Sequence, residues 1–351
     1  MTIQSFRVEN FRCLEKAELE ADSKYNLIYG ANASGKTSLL EALAYLGRGK
    51  SFRGAPVSSL IKHGQSEFLI FGKACRGERI SSIGVRNSRE GLEVRVDGDR
   101  GVGVAGLAEA LPLQIIDPDI HSLVSGGPES RRRYLDWVAF HVEHEFLSVW
   151  RRFRRALKQR NAALRVRRGV EPWTTEFIEL GLKVDRVRRR ILDGMADSLT
   201  SQGTTLLRER IGFEYRPGWT SDKSLEEAVA TSLERDLQQG STQVGPHRAD
   251  LSLIYDERQA RRLVSRGQQK LLACSMILAA TERVQVVQRR PLLLLLDDPA
   301  AELDRGSLDR LQQSVFALGC QVVATALEAR VLSFPSTPAV FHVEHGALIR
   351  E

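Results

Sequence analysis

Little in this chain suits a membrane protein, a secreted scaffold or a rod. Of its 351 residues only four are cysteine (Cys13, Cys75, Cys274 and Cys320), and no two pair as C-x-x-C. That excludes a disulfide framework and a zinc site of ordinary spacing, and fits a reducing cytosol. No stretch approaches the roughly 18 consecutive apolar residues of a bilayer span. The longest apolar run is 291–296. The opening Met1-Thr2-Ile3-Gln4-Ser5-Phe6-Arg7 lacks the basic flank and apolar core of a secretory signal. No repeat of about 20 to 50 residues is visible, and heptads never persist beyond a few turns. The expectation is a soluble cytoplasmic protein with no membrane partner and no long coiled coil.

What the chain does have is size and positive charge. At 42% apolar it can build one large or two ordinary domains with a real core. Its net charge of +7 attracts polyanions. The excess is local: Arg131-Arg132-Arg133, Arg151-Arg152-Phe153-Arg154-Arg155, Arg165-Val166-Arg167-Arg168 and Arg186-Val187-Arg188-Arg189-Arg190 share one middle segment. One such cluster is ordinarily a solvated helix face. Four together point to a nucleic-acid surface.

Periodicity divides the chain. Residues 2–8, 25–29, 67–73, 80–85 and 92–96 read as strands, and 37–46 as a helix with Leu39, Leu40, Leu43 and Leu46 on one stripe. From about 128 to 235 the spacing turns helical, with 129–164 and 174–210 broken at Gly169-Val170-Glu171-Pro172. Strands return at 250–255, 292–296, 320–325 and 339–343, with a strong helix at 268–280. The reading is an α/β sheet split around a helical insertion: 1–118, then a helical lobe over 119–280, then 281–351. The pentapeptide Phe-His-Val-Glu-His occurs at Phe140 and Phe341. It reads as helix in one place and strand in the other, so it marks no shared metal site.

Three motifs carry chemistry. Gly30-Ala31-Asn32-Ala33-Ser34-Gly35-Lys36-Thr37, followed by Ser38, matches G-x-x-x-x-G-K-[ST] between an apolar strand and an amphipathic helix. In such a loop successive N–H groups and the helix N-terminus hold phosphate oxygens. Lys36 would reach the β- and γ-phosphates, and the Thr37 hydroxyl would ligate Mg²⁺. Second, Leu292-Leu293-Leu294-Leu295-Leu296 reads as a strand buried on both faces, ending in Asp297-Asp298. Asp297 would hold Mg²⁺ through water and Asp298 would polarise the attacking water of ATP hydrolysis. Third, Ser265-Arg266-Gly267-Gln268 is a capping box in which Ser265 caps and Gln268 reaches back.

Placed about 30 residues before the acid pair, that last motif resembles the signature of ABC-type ATPases. The resemblance implies that Ser265, Gly267 and Gln268 complete the ATP site of a second copy in a homodimer. Glu302-Leu303-Asp304 looks like the loop that crosses such a dimer.

Further strings, in order along nearly the whole chain, resemble the bacterial RecF recombination and gap-repair family. They are Val8-Glu9-Asn10-Phe11-Arg12, Ser51-Phe52-Arg53, Gly127-Pro128, Arg131-Arg132-Arg133-Tyr134-Leu135-Asp136, Lys158-Gln159-Arg160-Asn161 and Gly245-Pro246-His247-Arg248-Ala249-Asp250. The resemblance implies an ABC-type P-loop ATPase head, a mixed sheet around the P-loop helix with an inserted arginine-rich helical lobe. It also implies a nucleoid-associated ATP-driven dimer on gapped DNA at single-strand/double-strand junctions. That dimer would work with RecR and RecO to load RecA. Arg131, Arg132, Arg133, Arg152, Arg155, Arg160 and Arg168 are the candidate phosphate contacts. Trp137, Trp150 and Phe153 lie among them as base-stacking or core residues. Two other readings share the motifs: a transporter's nucleotide-binding subunit and an architectural SMC-like head.

Four departures from the pattern matter. Ala33 stands where such loops have Gly, so a positive φ there would cost about 1 kcal/mol or more. Asp119 replaces a more usual Glu in a nucleotide-sensing position. Thr325 stands where transporters carry a phosphate-sensing His, and Asp298 is shorter than the usual Glu. The last two point to slow hydrolysis.

Overall fold

The computed structural model describes residues 2–77, 79–255, 258–260 and 264–351. The chain forms two compact units, one of Met1–Ile120 with Arg289–Glu351 and the other of His121–Gln288. The second boundary falls eight residues later than the sequence reading put it (288 against 280). The helix begun at Arg266 runs unbroken to Gln288, because no Gly or Pro stops it before Pro291.

The first unit holds two sheets. Strands β1 (Thr2–Phe11), β2 (Leu14–Glu20), β4 (Glu67–Arg76), β5 (Arg79–Ser88) and β6 (Gly91–Val96) form an antiparallel sheet in the order β2-β1-β4-β5-β6. The other sheet contains β3 (Tyr25–Tyr29), β7 (Leu113–Ile116), β11 (Leu293–Leu296), β12 (Gln321–Ala326), β13 (Ala339–Glu344) and β14 (Ala347–Arg350), in the order β14-β13-β3-β12-β11-β7. All its pairings are parallel except β13 with β14. The central strands β11 and β12 are buried on both faces, hence their unbroken apolar sequence. Helix α1 (Lys36–Arg48) buries nine consecutive residues, Leu39 to Gly47, in a core shared with both sheets. Two short helices, α2 (Val57–Leu60) and α3 (Gly103–Ala110), complete the N-terminal half of this unit.

The second unit is mainly helical: α4 (Ser122–Ser125), α5 (Pro128–Val142), α6 (Phe146–Val166), α7 (Val170–Asp193), α8 (Ala196–Leu207), α9 (Leu225–Gln239) and α10 (Arg266–Gln288). Strands β8 (Ile211–Arg216), β9 (Asp250–Tyr255) and β10 (Arg258–Gln259) make a small antiparallel sheet. Helix α10 is long and apolar enough to cross a bilayer by length and composition, yet two-thirds of its apolar window is buried. Its burial runs unbroken from Lys270 to Thr281, all round the helix rather than on one face.

Candidate active site

The parallel register gathers the site. Leu296 of β11 pairs with Ile116 of β7 and with Ala324 of β12, and β12 in turn pairs with β3. The residues at these carboxyl ends are therefore neighbours: Asp117, Asp297, Thr325 near the end of β12 and the loop after Tyr29. Ligands of open α/β sheets bind at this edge.

Gly30, Ala31, Asn32, Ala33, Ser34 and Gly35 form the loop, and Lys36, Thr37 and Ser38 open α1. Ala33 has φ 62°, the left-handed conformation for which its methyl group is costly. Gly35 has φ 117°, which suits glycine alone. The C-terminal hairpin braces the loop, since the Gly346 N–H donates to the Ser34 carbonyl at 2.9 Å. A Cβ on Gly30 would collide with the Val343 carbonyl. The buried Ser34 hydroxyl has no protein partner among the described residues. A buried orphan donor at the centre of a phosphate-type loop fits an anionic ligand.

Lys36 Nζ donates to the Gly30 and Ala31 carbonyls at 2.7 and 2.8 Å. Burial lowers its pKa, while Asp298 and then Asp297 act to raise it. The Thr37 hydroxyl donates to Asp297 Oδ1 at 3.0 Å, and the Thr325 hydroxyl reaches the same oxygen at 2.8 Å. Asp297 is only 4% exposed. Burial raises its carboxyl above the ordinary range against the pull of Thr325 and Thr37. A desolvated carboxylate beside a P-loop hydroxyl suits a hard cation, which would stabilise its charged form. Asp298 sits at φ 44°, with its N–H donating to Thr325 Oγ1 at 2.9 Å. Thr325 thus binds both acids, Asp297 through its carboxylate and Asp298 through its N–H.

Sequence reasoning missed three contributors. Asp117 continues β7 beside Asp297. Its carboxyl is pushed up to about 6, chiefly by burial and then by Asp119 and Asp297, with Arg48 pulling the other way. Arg48 is itself lowered to about 10 by burial. Only the in-register pairing of β7 with β11 reveals Asp117. The second is Arg53, whose charge reaches Asp297. The third, Glu41 on α1, is fully buried and ion-paired with Arg12, and it accepts the Ser51 hydroxyl. Ser51 Oγ in turn accepts the N–H groups of Arg53 at 3.1 Å and Ala55 at 3.2 Å, so Glu41 fixes the loop that carries Arg53. The string Ser51-Phe52-Arg53 was visible in the sequence, without this reason for it.

Ser265, Gly267 and Gln268 belong to the second unit. Their capping box is formed: the Ser265 N–H donates to Gln268 Oε1 at 2.8 Å, and the Gln268 N–H to Ser265 Oγ at 3.3 Å. Ser265 itself is exposed. In the first unit, Asp304 caps helix α11 (Arg305–Ala317) through the Ser307 N–H at 2.9 Å.

The candidate phosphate contacts divide. Arg133, Arg152, Arg155 and Arg168 are exposed, and half-buried Arg132 donates to the Ala249 carbonyl at 2.7 Å. Arg131 and Arg160 must be withdrawn as nucleic-acid contacts. Arg131 is buried against Asp250 at 2.7 Å and three backbone carbonyls. Arg160 is fully buried with Asp236 at 2.8 Å and also bonds Thr174 and Thr242. Burying a guanidinium requires such partners, and these leave neither group for solvent. The aromatics serve packing: Phe153 stacks on Phe177 at 5.4 Å, and Trp150 Nε1 donates to Asp136 at 3.2 Å.

Comparison with known proteins places this geometry. The family model described as the RecF/RecN/SMC N terminal domain matches residues 2–347. The DNA replication and repair protein RecF of Yersinia pestis bv. Antiqua (strain Angola) is 38% identical over 355 residues, covering 99% of this chain and 98% of its own. A solved structure of the recombination mediator protein RecF with ATP, from the RecFOR pathway, superposes with a TM-score of 0.88 at 25% identity, covering 100% and 97% of the two chains. The Smc head bound to the C-winged helix domain of ScpA gives 0.63 at 14% identity, covering 100% and 97%, and shares the fold.

Proposed function

The chain belongs to the RecF family of DNA replication and repair proteins, with the ABC-type ATPase head of that family, and from that premise we propose an ATP-driven DNA clamp. Two copies close on ATP, hold gapped DNA near a single-strand/double-strand junction, and with RecR and RecO promote RecA loading. Hydrolysis is slow and times release. Family membership over nearly the whole chain favours this over a transporter subunit.

The observation that carries the reading is the cluster of Thr37, Asp297 and Thr325 beside a loop with an orphan donor at Ser34. Lys36 exchanges two loop carbonyls for phosphate oxygens, keeping its charge satisfied throughout. Thr37 and Asp297 would hold Mg²⁺, which when bound neutralises developing charge on the phosphates. Asp298 accepts the proton of the attacking water. Its side chain is one methylene shorter than glutamate and rises from a strained backbone, which supports slow turnover. Ser265 and Gly267 of one copy meet the terminal phosphate held by the other, closing the dimer only when ATP is present.

Gel filtration with ATP, with and without gapped DNA, tests this. The expected result is a dimer that forms with ATP and retains DNA. A chain that stays monomeric under both conditions would refute the clamp.

A further inference from the structure

The 21-residue helix α6 carries seven arginines and lysines and no aspartate or glutamate. Two of the cations are committed within the unit, Arg160 to buried Asp236 and Arg152 to Glu176 at 3.5 Å. The other five, Arg151, Arg154, Arg155, Lys158 and Arg165, are all exposed, and among the described residues none has a carboxylate at ion-pairing distance. By contrast Arg133, Lys183, Arg189 and Arg190, elsewhere in the unit, each have one.

The five share one face. At 3.6 residues per turn they fall within a sector of about 100°, over about 21 Å of helix. Like charges four apart, as in Arg151 with Arg155 and Arg154 with Lys158, destabilise a helix unless an anion lies across them. Arg154, Arg155, Lys158 and Arg165 also line a groove of about 810 Å³ whose wall includes His247. The other exposed residue within the sector, Ala162, is small and lets a partner approach closely. Among the described residues this face offers no stacking platform, because Phe153 is buried and Arg154 lies over the Trp150 ring at 5.3 Å. Single strands are held by such platforms. A straight row of cations instead suits the backbone of a duplex, which presents roughly six phosphates of one strand over the same length.

We propose that this face of α6 is a binding site for the phosphate backbone of double-stranded DNA, read without regard to base sequence. The assignment rests on the reading of the chain as a DNA-binding ATPase.

The test compares the full-length protein with Arg155→Glu/Lys158→Glu/Arg165→Glu and with a control of equal charge change, Arg208→Glu/Arg210→Glu/Lys223→Glu, also at exposed positions. Fluorescence anisotropy with a labelled blunt duplex, ATP present, is measured across a salt series. Wild type and control should bind alike. The α6 variant should lose at least about 100-fold in affinity, with a salt slope shallower by about 2.7, three contacts at about 0.9 each. If the α6 variant binds as wild type does, or both triple variants lose equally, the site is wrong while DNA binding stands. If the wild type binds no duplex, the site falls together with the reading beneath it.

Discussion

Thr37 and Asp297 lie 260 positions apart in sequence, and their side chains meet in a 3.0 Å hydrogen bond. That contact ties the helix after the P-loop to the strand that ends in the acid pair, so the proposed phosphate grip and the proposed cation site form one object. Asp298, next along, is the residue proposed to act on water. Asp298→Asn is expected to cut hydrolysis at least about 100-fold, the lower range for losing a general base, while ATP binding persists and the dimer accumulates. Phosphate release and gel filtration together check this, and undiminished turnover would assign the base elsewhere.

Ala33 holds a left-handed backbone in the folded protein. Ala33→Gly should relieve that strain, stabilising the first unit by about 1 kcal/mol and raising its thermal midpoint by about 2–4 °C. The strain is present with or without ligand, so nucleotide affinity should change less than about threefold. Differential scanning fluorimetry and nucleotide titration measure the two effects separately.

Lys36 and Ser265 should fail in different ways. Lys36→Met is expected to abolish ATP binding and dimerisation together. Ser265→Arg, at an exposed cap, should leave ATP binding by the monomer intact and block the dimer. Normal dimerisation of the Ser265 variant would contradict a composite site.

Arg160 offers the opposite kind of test. Arg160→Ala leaves Asp236 buried without its partner, at a cost of about 3–5 kcal/mol. Urea denaturation should show that loss. At temperatures where the variant remains folded, the salt slope of DNA binding should match wild type.

His247 supplies a pH dependence. Burial lowers its pKa to about 4, and its Nε2 lies 3.0 Å from the Thr242 carbonyl. Above the unfolded value near 6.5 both states are neutral and stability is complete. As pH falls from there toward 4, only the unfolded state takes up a proton, so stability is lost. Wild type should lose about 2 kcal/mol more than His247→Gln between about pH 7.5 and pH 5. Equal losses in urea titrations of the two proteins would show that His247 titrates normally.

Several elements could be read directly from local pattern. The P-loop, the capping box at Ser265 and the β11 strand with its acids are contiguous strings whose chemistry is local. Strand β2 was not legible. Leu14-Glu15-Lys16-Ala17-Glu18-Leu19-Glu20 is made of good helix formers, and only pairing along β1 and burial of Leu14, Ala17 and Leu19 make it extended. Strand β8 was likewise hidden, since its pairing with β9 spans distant sequence.

The order of residues alone determined the nucleotide motifs, the split of an α/β sheet around a helical insertion, and the concentration of positive charge in that insertion. Tertiary structure decided which charges face water. Arg160 and Arg155 stand five apart on α6, yet one is sealed against Asp236 and the other is exposed. The carboxylate that seals Arg160 is 76 positions away in sequence. It likewise took strand register to bring Asp117 beside Asp297. A motif is a local property of the backbone, whereas the pairing and desolvation of a charge depend on what the fold packs against it, and no local pattern encodes that.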